Sequence, residues 1–331
     1  MSIPVPQELL DFIRKHKKFI ITGHKEPDGD CVGSQLAMAS VLKRLGKEVV
    51  VCSAGPFRRG EISAYQDRFA DAVRDEDRLG AAVVIMDCST VNRTGDLKER
   101  IEGLPTAIVD HHEGGNHRAS SQENPVFIDP SAPSVTFLIL ALIESLGLAP
   151  TEEEAKLLFL GLCTDTGFFR HVDSTGYETF AYASRLIKAG ANPKETFRFI
   201  NGGKSFASRR FLGVLLAGSR QYFDGKLILA TEEYHESRRF GLENRDSDTL
   251  YRLLQTVDGV EVAMFIRQET PVSCSVGLRS LDKIDVSAIA AAFGGGGHKN
   301  AAGVTLKGTI RTIRPQFLDV FEKIFRRGRD A

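Results

Sequence analysis

Carboxylate and imidazole side chains recur in this sequence directly after short apolar segments. The segment 24–30 (HKEPDGD) follows FIIT, Asp87 follows VVIM, and the triplet 110–112 (DHH) follows TAIV. A further carboxylate, Asp165, stands in CTDTG at the end of a helical stretch. An aspartate after a strand is often only a helix N-cap or a turn residue, but two histidines beside an acid are costly to pack without a role. Together the four segments favour a shared chemical function.

These carboxylates and imidazoles form a mixed oxygen and nitrogen ligand set. Such a set suits Mn²⁺, Fe²⁺, Co²⁺ or Zn²⁺ better than an all-oxygen magnesium cage. It is larger than one ion with open positions needs, and it fits two ions about 3.5–4 Å apart that share a bridging carboxylate. Such a pair lowers the pKa of a shared water and neutralises the oxygens of a phosphate under in-line attack. The predicted chemistry is therefore metal-assisted hydrolysis at phosphorus.

The elements that position these residues alternate between buried strands and helices. Strands are predicted at 19–22, 49–52, 81–86 and 106–109, and helices at 31–45, 134–146 and 151–162. This alternation indicates an α/β fold with a Rossmann-like, mostly parallel sheet and helices on both faces. Because ligands bind beyond the carboxyl ends of parallel strands, three strands that end in Asp or His should direct those side chains into one crevice.

The character of the sequence changes near residue 190, where GANP (190–193) breaks the pattern. Helical pieces and then strands with tight turns follow, including a hairpin turn at Asp224-Gly225. Helices are predicted at 194–200, 206–218 and 286–293, and strands at 220–223, 226–231, 260–267 and 273–278. We therefore predict a catalytic domain over 1–190, a helical linker over 191–218 and a smaller α/β domain over 219–331.

A glycine-rich segment near the C-terminus, 294–303 (GGGGHKNAAG), has the composition of an anion site. Consecutive glycines let the backbone approach an anion closely and direct N–H groups towards it. His298 and Arg279 add side-chain donors, and an arginine offers a two-pronged fork for a phosphate. The alternative is a flexible glycine loop with a surface histidine.

Composition restricts the remaining possibilities. The chain has 331 residues with 43 basic and 43 acidic side chains, which argues against a general binder of long nucleic acid. The acidic excess lies before residue 191 and the basic excess after it, which suits metal ions on one side and an anionic substrate on the other. The five cysteines are scattered and form no CxxC pair, so neither a disulfide framework nor a structural zinc site is expected. The absence of a long apolar run and of a signal-peptide pattern predicts a soluble, cytoplasmic protein.

The four segments, in order, resemble the motifs of the DHH phosphoesterase superfamily. The glycine-rich segment resembles the signature of the DHH-associated C-terminal domain, and GLRS (277–280) resembles the arginine motif that precedes it. The length and the two-domain layout resemble the stand-alone members that degrade short RNA and dephosphorylate 3′-phosphoadenosine 5′-phosphate (pAp). The resemblance also suggests a homodimer.

The resemblance implies specific roles for these residues. One ion would be held by His24, Asp28 and Asp87, and the other by Asp30, Asp87, His111 and Asp165. Asp87 would therefore bridge the two ions. The implied metal is Mn²⁺, with Mg²⁺ or Co²⁺ as alternatives. His112 would contact the scissile phosphate. On physical grounds, Asp110 is expected to orient a ligating histidine. The implied substrate-binding residues are Arg279, Ser280, Gly295, Gly296, Gly297 and His298, and Arg170 is added because it follows Asp165. Cys31, Cys88 and Cys163 lie beside these positions, and none is expected to displace a ligand.

The expected function is a two-metal phosphoesterase that shortens RNA oligonucleotides stepwise to 5′-mononucleotides and converts pAp to AMP. A phosphodiesterase for cyclic di-AMP or pApA is the nearest alternative. An exopolyphosphatase or pyrophosphatase, and a nucleotide-binding module without turnover, are further alternatives. A processive single-strand DNA exonuclease of the same superfamily would need extra domains for which the chain has no room.

Overall fold

The structure, a computed structural model, describes residues 3–112, 120–172, 176–281 and 283–327. The chain divides into two compact units, Met1–Gly203 and Lys204–Ala331. The division falls inside the segment predicted as a helical linker, and that segment is helical on both sides of it. Among the residues described, no helix is long and apolar enough to cross a lipid bilayer.

The first unit is built on a five-stranded parallel sheet with the strand order β2-β1-β3-β4-β5. Its strands are β1 (Lys18–Gly23), β2 (Glu48–Val51), β3 (Ala81–Met86), β4 (Thr106–Asp110) and β5 (Val126–Ile128). Its helices are α1 (Gln7–Lys15), α2 (Gly29–Arg44), α3 (Gly60–Ser63), α4 (Asp75–Arg78), α5 (Lys98–Ile101), α6 (Val135–Ser145), α7 (Glu152–Asp165), α8 (Tyr177–Lys188) and α9 (Pro193–Asn201). The predicted α/β fold with a parallel sheet is confirmed.

Both faces of this sheet are covered, although by different kinds of element. Phe19, Val84 and Val109 pack into a large core with α1, α2, α6 and α7. The alternate strand residues, such as Ile20 and Val83, pack against α5 and its neighbouring turns. Successive strand residues point to opposite faces, so burial on both sides explains the uninterrupted apolar runs in the sequence.

The second unit contains a six-stranded mixed sheet with the order β10-β11-β9-β8-β7-β6. Its strands are β6 (Arg220–Tyr222), β7 (Leu227–Glu232), β8 (Val262–Thr270), β9 (Ser273–Ser280), β10 (Gly296–His298) and β11 (Ala301–Lys307). Its helices are α10 (Phe206–Ala217), α11 (Tyr234–Phe240), α12 (Ser247–Gln255), α13 (Val286–Ala292) and α14 (Ile310–Arg327). β6 and β7 pair antiparallel around the predicted turn, and β7 pairs parallel with β8.

Candidate active site

The end of β1 and the start of α2 position the first group of predicted ligands. Asp28 is the N-cap of α2, and its Oδ1 accepts from the backbone N–H groups of Asp30 and Cys31 at 3.1 Å each. The imidazole of His24 is oriented by a 2.9 Å contact between its Nδ1 and the carbonyl oxygen of Lys25. A carbonyl oxygen can only accept a hydrogen bond, so Nδ1 is the donor in this contact. The other ring nitrogen, Nε2, lies 3.9 Å from Asp28 Oδ1.

Asp87 follows β3 and lies near two histidines, His24 and His111, that follow two different strands. Its side chain is 2% exposed, and its backbone has the left-handed φ of 58° that few non-glycine residues adopt. Its Oδ2 lies 3.3 Å from His24 Nε2, whereas its Oδ1 lies 3.9 Å from His111 Nε2. Oδ1 is buried and has no hydrogen-bond partner among the residues described. The two oxygens of one carboxylate therefore face two separate imidazoles.

The end of β4 presents the DHH triplet. Asp110 is fully buried, and its Oδ1 accepts from the backbone N–H of His111 at 2.8 Å and pairs with His112 Nδ1 at 2.8 Å. His111 Nδ1 lies 3.0 Å from the carbonyl oxygen of Ala132, which directs Nε2 towards Asp165 Oδ2 at 3.1 Å. Asp110 contacts the ring of His112 rather than that of His111, so the predicted orienting carboxylate lies beside the histidine that is expected to contact the phosphate and not beside the expected ligand.

Asp30 lies in the first turn of α2 and is fully buried. Its two oxygens accept from the backbone N–H groups of Val135 at 2.6 Å and Thr136 at 3.0 Å, which are the first residues of α6. The unpaired N–H groups at a helix N-terminus stabilise a carboxylate in this position. A carboxylate has further lone pairs, so these bonds leave Asp30 able to bind a cation.

Two glycines allow the helices that carry these residues to approach closely. A Cβ at Gly33 on α2 would lie 2.5 Å from the carbonyl oxygen of Leu157 on α7. A Cβ at Gly161 on α7 would lie 2.8 Å from Asp30 Oδ1 and 2.5 Å from Thr136 Cγ2. This close packing brings the end of α7, with Asp165, to the same cluster as Asp30 and His111.

The electrostatics of the cluster are those of buried acids crowded together. Burial, with the charges of Asp28 and Asp165, raises the pKa of Asp87 to about 6 although His24 opposes the rise. Burial and the neighbouring Asp165 and Asp87 also raise the pKa of Asp30. Burial alone would lower the pKa of His111, but Asp165 and Asp30 raise it to about 10. The hydrogen bond with Asp110 is the main cause of a raised pKa at His112.

The donor set fits divalent metal ions. Among the residues that the structure describes, three groups each offer three ligand atoms within 4.8 Å of one another: His24, Cys31 and Asp87; Asp87, His111 and His112; and Asp30, His111 and Asp165. Asp87 belongs to two of these groups, and its buried Oδ1 has no partner in the described parts of the chain. A buried carboxylate oxygen without a partner is costly, and a cation would relieve that cost. The sequence interpretation did not anticipate that Cys31 would join one of the groups.

The second unit holds a cleft of about 720 Å³ on the open part of its sheet. The opposite face of β9, with Val276 and Leu278, packs against α13 and α14. On the cleft side the strands carry small residues and two arginines, and α12 closes one flank. The lining residues include Asp248, Tyr251, Arg267, Ser275, Gly277, Arg279, Gly295, Gly296, His298 and Gly303. Its volume is in the range of ligand pockets.

The cleft brings together most, but not all, of the predicted substrate-binding residues. Arg279, Gly295, Gly296 and His298 line it. Ser280 does not, because its side chain lies on the buried face of β9 and its hydroxyl faces the carbonyl oxygen of Lys299 at 3.4 Å.

Two further predicted residues lie elsewhere. Gly297 is not among the residues that line the cleft. Its φ is 147°, a backbone conformation that favours glycine, and a Cβ at this position would lie only 2.4 Å from the Ala301 carbonyl oxygen. Arg170 is an exposed residue of the first unit, where its Nη2 lies 3.1 Å from His171 Nε2.

Tyr251 and Arg267 line this cleft and were not predicted from the sequence. The guanidinium of Arg279 lies 4.7 Å from the ring centroid of Tyr251, which is a cation–π geometry that holds the fork in place. Arg267 also faces the cleft, and its Nη2 donates to Ser275 Oγ at 2.8 Å. The signal that could have found Arg267 is its place directly after the apolar run 262–266, at the same parity as Phe265.

Comparison with known proteins agrees with this architecture. Residues 18–162 match the model of the DHH family N-terminal domain, and residues 226–327 match the DHHA1 domain. These two matches, together with the curated relatives described below, support a hydrolase of the phosphoesterase class. The chain belongs to the DHH family.

Curated relatives cover most of the chain. It is 33% identical over 289 residues to the bifunctional oligoribonuclease and PAP phosphatase NrnA of Thermus thermophilus, a match that covers 87% of this chain and 84% of the relative. It is 25% identical to the NrnA of Bacillus subtilis, covering 90% of this chain and 92% of that one. It is also 26% identical to the cyclic-di-AMP phosphodiesterase PdeA of Listeria monocytogenes, covering 96% of this chain but only 49% of PdeA.

Solved structures share the fold. An exopolyphosphatase-related protein from Bacteroides fragilis superposes with a TM-score of 0.83 at 22% identity, covering 96% of this chain and 95% of that one. RecJ of Thermus thermophilus, solved in complex with Mn²⁺, superposes with a TM-score of 0.55 at 17% identity, covering 99% of this chain and 56% of RecJ.

Proposed function

We propose that this protein is a two-metal phosphoesterase that hydrolyses short RNA oligonucleotides to 5′-mononucleotides and removes the 3′-phosphate of pAp. The observation that carries the proposal is the position of Asp87, whose Oδ2 lies 3.3 Å from His24 Nε2 and whose Oδ1 lies 3.9 Å from His111 Nε2. A carboxylate placed in this way is suited to bridge two cations.

The residues that would hold the ions belong to the first unit. His24, Asp28 and Asp87 would hold one ion, and Asp30, Asp87, His111 and Asp165 would hold the other. Mn²⁺ is the preferred metal, with Mg²⁺ and Co²⁺ as alternatives, because the donors are oxygen and imidazole nitrogen. When bound, two such ions withdraw negative charge from a phosphate and make water a better nucleophile.

His112 and Asp110 would act on the phosphate itself. The side chain of His112 is 41% exposed while that of Asp110 is buried, so His112 is the accessible member of the pair. The hydrogen bond from Nδ1 to Asp110 raises the pKa of the His112 ring above that of a free histidine and so favours its imidazolium form. Its Nε2–H would donate to a phosphate oxygen and stabilise the charge that develops there.

The cleft of the second unit would bind the nucleotide. Arg279 supplies a guanidinium that Tyr251 holds in place, and Gly295, Gly296 and His298 line the same cleft. These groups suit a terminal phosphate and its sugar more than an inorganic chain alone. Ser280 and Gly297 do not line the cleft and are not part of this proposal, whereas Arg170 stays a prediction from the sequence.

The substrate assignment is supported by the relatives named NrnA, one of them 33% identical to this chain. A second candidate, hydrolysis of cyclic di-AMP or pApA, is supported by the likeness to PdeA, of which the chain covers 49%. A homodimer and a cytoplasmic location stay predictions from the sequence.

A hydrolysis panel on the purified full-length protein with Mn²⁺ tests this proposal. The panel contains pAp, RNA dimers to pentamers, pApA, cyclic di-AMP, pyrophosphate and polyphosphate, with His112→Ala as the inactive control. We expect pAp and short RNA to be turned over fastest. Faster turnover of cyclic di-AMP or pApA would favour the second candidate, and no turnover of any phosphoester would refute the enzyme.

A further inference from the structure

We propose that the thiol of Cys31 is an additional ligand of the metal ion held by His24 and Asp87. This inference rests on the proposed metal centre and adds to it a residue that makes the two ion positions chemically different. Cys31 Sγ, a nitrogen of His24 and an oxygen of Asp87 all lie within 4.8 Å of one another.

The backbone around Cys31 fixes the thiol in this position. Cys31 is the third residue of α2, and its N–H donates to Asp28 Oδ1 at 3.1 Å. The end of β1 leaves the space for sulfur, because a Cβ at Gly23 would lie only 2.3 Å from Cys31 Sγ. The side chain of Cys31 is fully buried and makes no contact with solvent.

The sulfur accepts a hydrogen bond from a neighbouring side chain. Gln35 Nε2 lies 3.2 Å from Cys31 Sγ and donates to it. Hydrogen bonds donated to a ligating sulfur are among the outer contacts that tune metal sites. Asp87, the third member of the group, is a buried carboxylate whose Oδ2 lies 3.3 Å from His24 Nε2. Its other oxygen, Oδ1, lies beside His111 and His112 and has no hydrogen-bond partner among the residues described. On binding, the S–H bond of Cys31 breaks, a metal–sulfur bond forms, and the proton leaves to the buffer.

The consequence is an asymmetric pair of ion positions. The group of Asp30, His111 and Asp165 offers only oxygen and nitrogen, which suits Mn²⁺ or Mg²⁺. The group of His24, Cys31 and Asp87 adds a soft sulfur donor, which favours Co²⁺, Zn²⁺ or Cd²⁺. Cys31 would therefore determine metal preference at one position without touching the substrate.

A Co²⁺ titration of the metal-free full-length protein tests this directly. Bound Co²⁺ gives visible d–d bands, and a thiolate ligand adds a charge-transfer band in the near ultraviolet. We expect both in the wild type, loss of the near-ultraviolet band alone in Cys31→Ser, and retention of both in Cys88→Ser. Cys88 is the matched control because it is equally buried and follows Asp87, yet it belongs to none of the three-ligand groups found in the described part of the chain.

A second measurement compares metals by calorimetry. We expect the Cd²⁺ dissociation constant to rise at least about tenfold in Cys31→Ser, while Mn²⁺ binding to the other position changes by less than about threefold. If Cys31→Ser fails to fold, the wild-type and Cys88→Ser spectra together still test the inference, because a band lost in Cys88→Ser, or absent from both, would overturn it.

The outcomes separate this inference from the proposed function. Visible bands without a near-ultraviolet band in the wild type would overturn the role of Cys31 and leave the oxygen and nitrogen centre intact. The same conclusion would follow from a near-ultraviolet band that persists in Cys31→Ser. The absence of all bands would overturn the metal centre and this inference together, whereas a thiolate band in a protein that hydrolyses no phosphoester would support Cys31 and refute only the function.

Discussion

Replacing Asp87 by Asn should stabilise the metal-free protein and remove most of the stabilisation that the wild type gains from metal. Without metal, Asp87 is a buried carboxylate near Asp28 and Asp165, and its pKa is raised from 3.8 to about 6. A rise of this size corresponds to about 3 kcal/mol of cost for the ionised form. Asn has nearly the same shape and no charge, so Asp87→Asn should stabilise the metal-free fold by up to about 3 kcal/mol at pH 7.5.

The sign of this effect sets its pH dependence. A carboxyl group whose pKa is higher in the folded state destabilises the fold only where it is ionised. The advantage of Asp87→Asn should therefore be absent below the unfolded pKa of 3.8, grow as the pH rises to about 6, and stay constant above it. For a unit of this size, 3 kcal/mol corresponds to roughly 6–12 °C in melting temperature.

The assay is thermal unfolding in EDTA and in excess Mn²⁺, with the exposed Asp67→Asn as control. Ligand at 100 times its dissociation constant stabilises the wild type by about 2.7 kcal/mol, and Asp87→Asn should lose that increment. The variant should thus melt higher than the wild type in EDTA and gain little from Mn²⁺. A variant that melts lower in EDTA would refute the electrostatic reasoning, and one that gains as much from Mn²⁺ as the wild type would refute the role of Asp87 as a ligand.

Further predictions concern catalysis, packing and substrate binding. His112→Ala should lower kcat by about 10²-fold or more while the rise in melting temperature with Mn²⁺ persists, and loss of that rise would show that His112 is a ligand instead. Gly161→Val should destabilise the protein by about 1–3 kcal/mol because its Cβ would meet Asp30 and Thr136, whereas Gly213→Ala, with no described atom within 4 Å, should be neutral or slightly stabilising in urea denaturation. Arg279→Lys should raise KM for pAp about tenfold with little change in kcat, because a lysine cannot reproduce the fork; an unchanged KM would argue against the cleft as the nucleotide site. Dialysis against EDTA should abolish hydrolysis, and Mn²⁺ should restore it; activity that persists without metal would contradict the metal-dependent mechanism.

The sequence is most informative where strands end. FIIT, VVIM and TAIV are β-rich apolar runs, and parallel strands bring their carboxyl ends to one edge of a sheet. That geometry is sufficient to predict that His24, Asp87 and the DHH triplet lie together, and the structure confirms that they do. The predicted turn at Asp224-Gly225 is confirmed for a similarly local reason, since the flanking strands pair around it.

Contacts between distant helices could not be predicted in this way. The anchoring of Asp30 by the first N–H groups of α6 joins residues more than 100 positions apart, and the sequence gives no register for it. The close crossing of α2 and α7 at Gly33 and Gly161 depends on the same packing.

For the second unit, the sequence does not show which face of a strand lies against the core. Arg279 and Ser280 are adjacent in sequence, but the alternation of β9 sends one to the cleft and the other to the core. The two glycines Gly296 and Gly297 form part of a short strand, β10, where composition alone suggests a loop. Pairing with β11 overrides that local preference.

The number of Mn²⁺ ions bound per chain tests the central claim most directly. Equilibrium dialysis with metal analysis should give two ions for the wild type and at most one for a folded Asp87→Ala protein, and the same samples should hydrolyse pAp only with both ions bound. A wild type that binds no ion or only one, or an Asp87→Ala protein that binds two, would contradict a centre that shares this carboxylate.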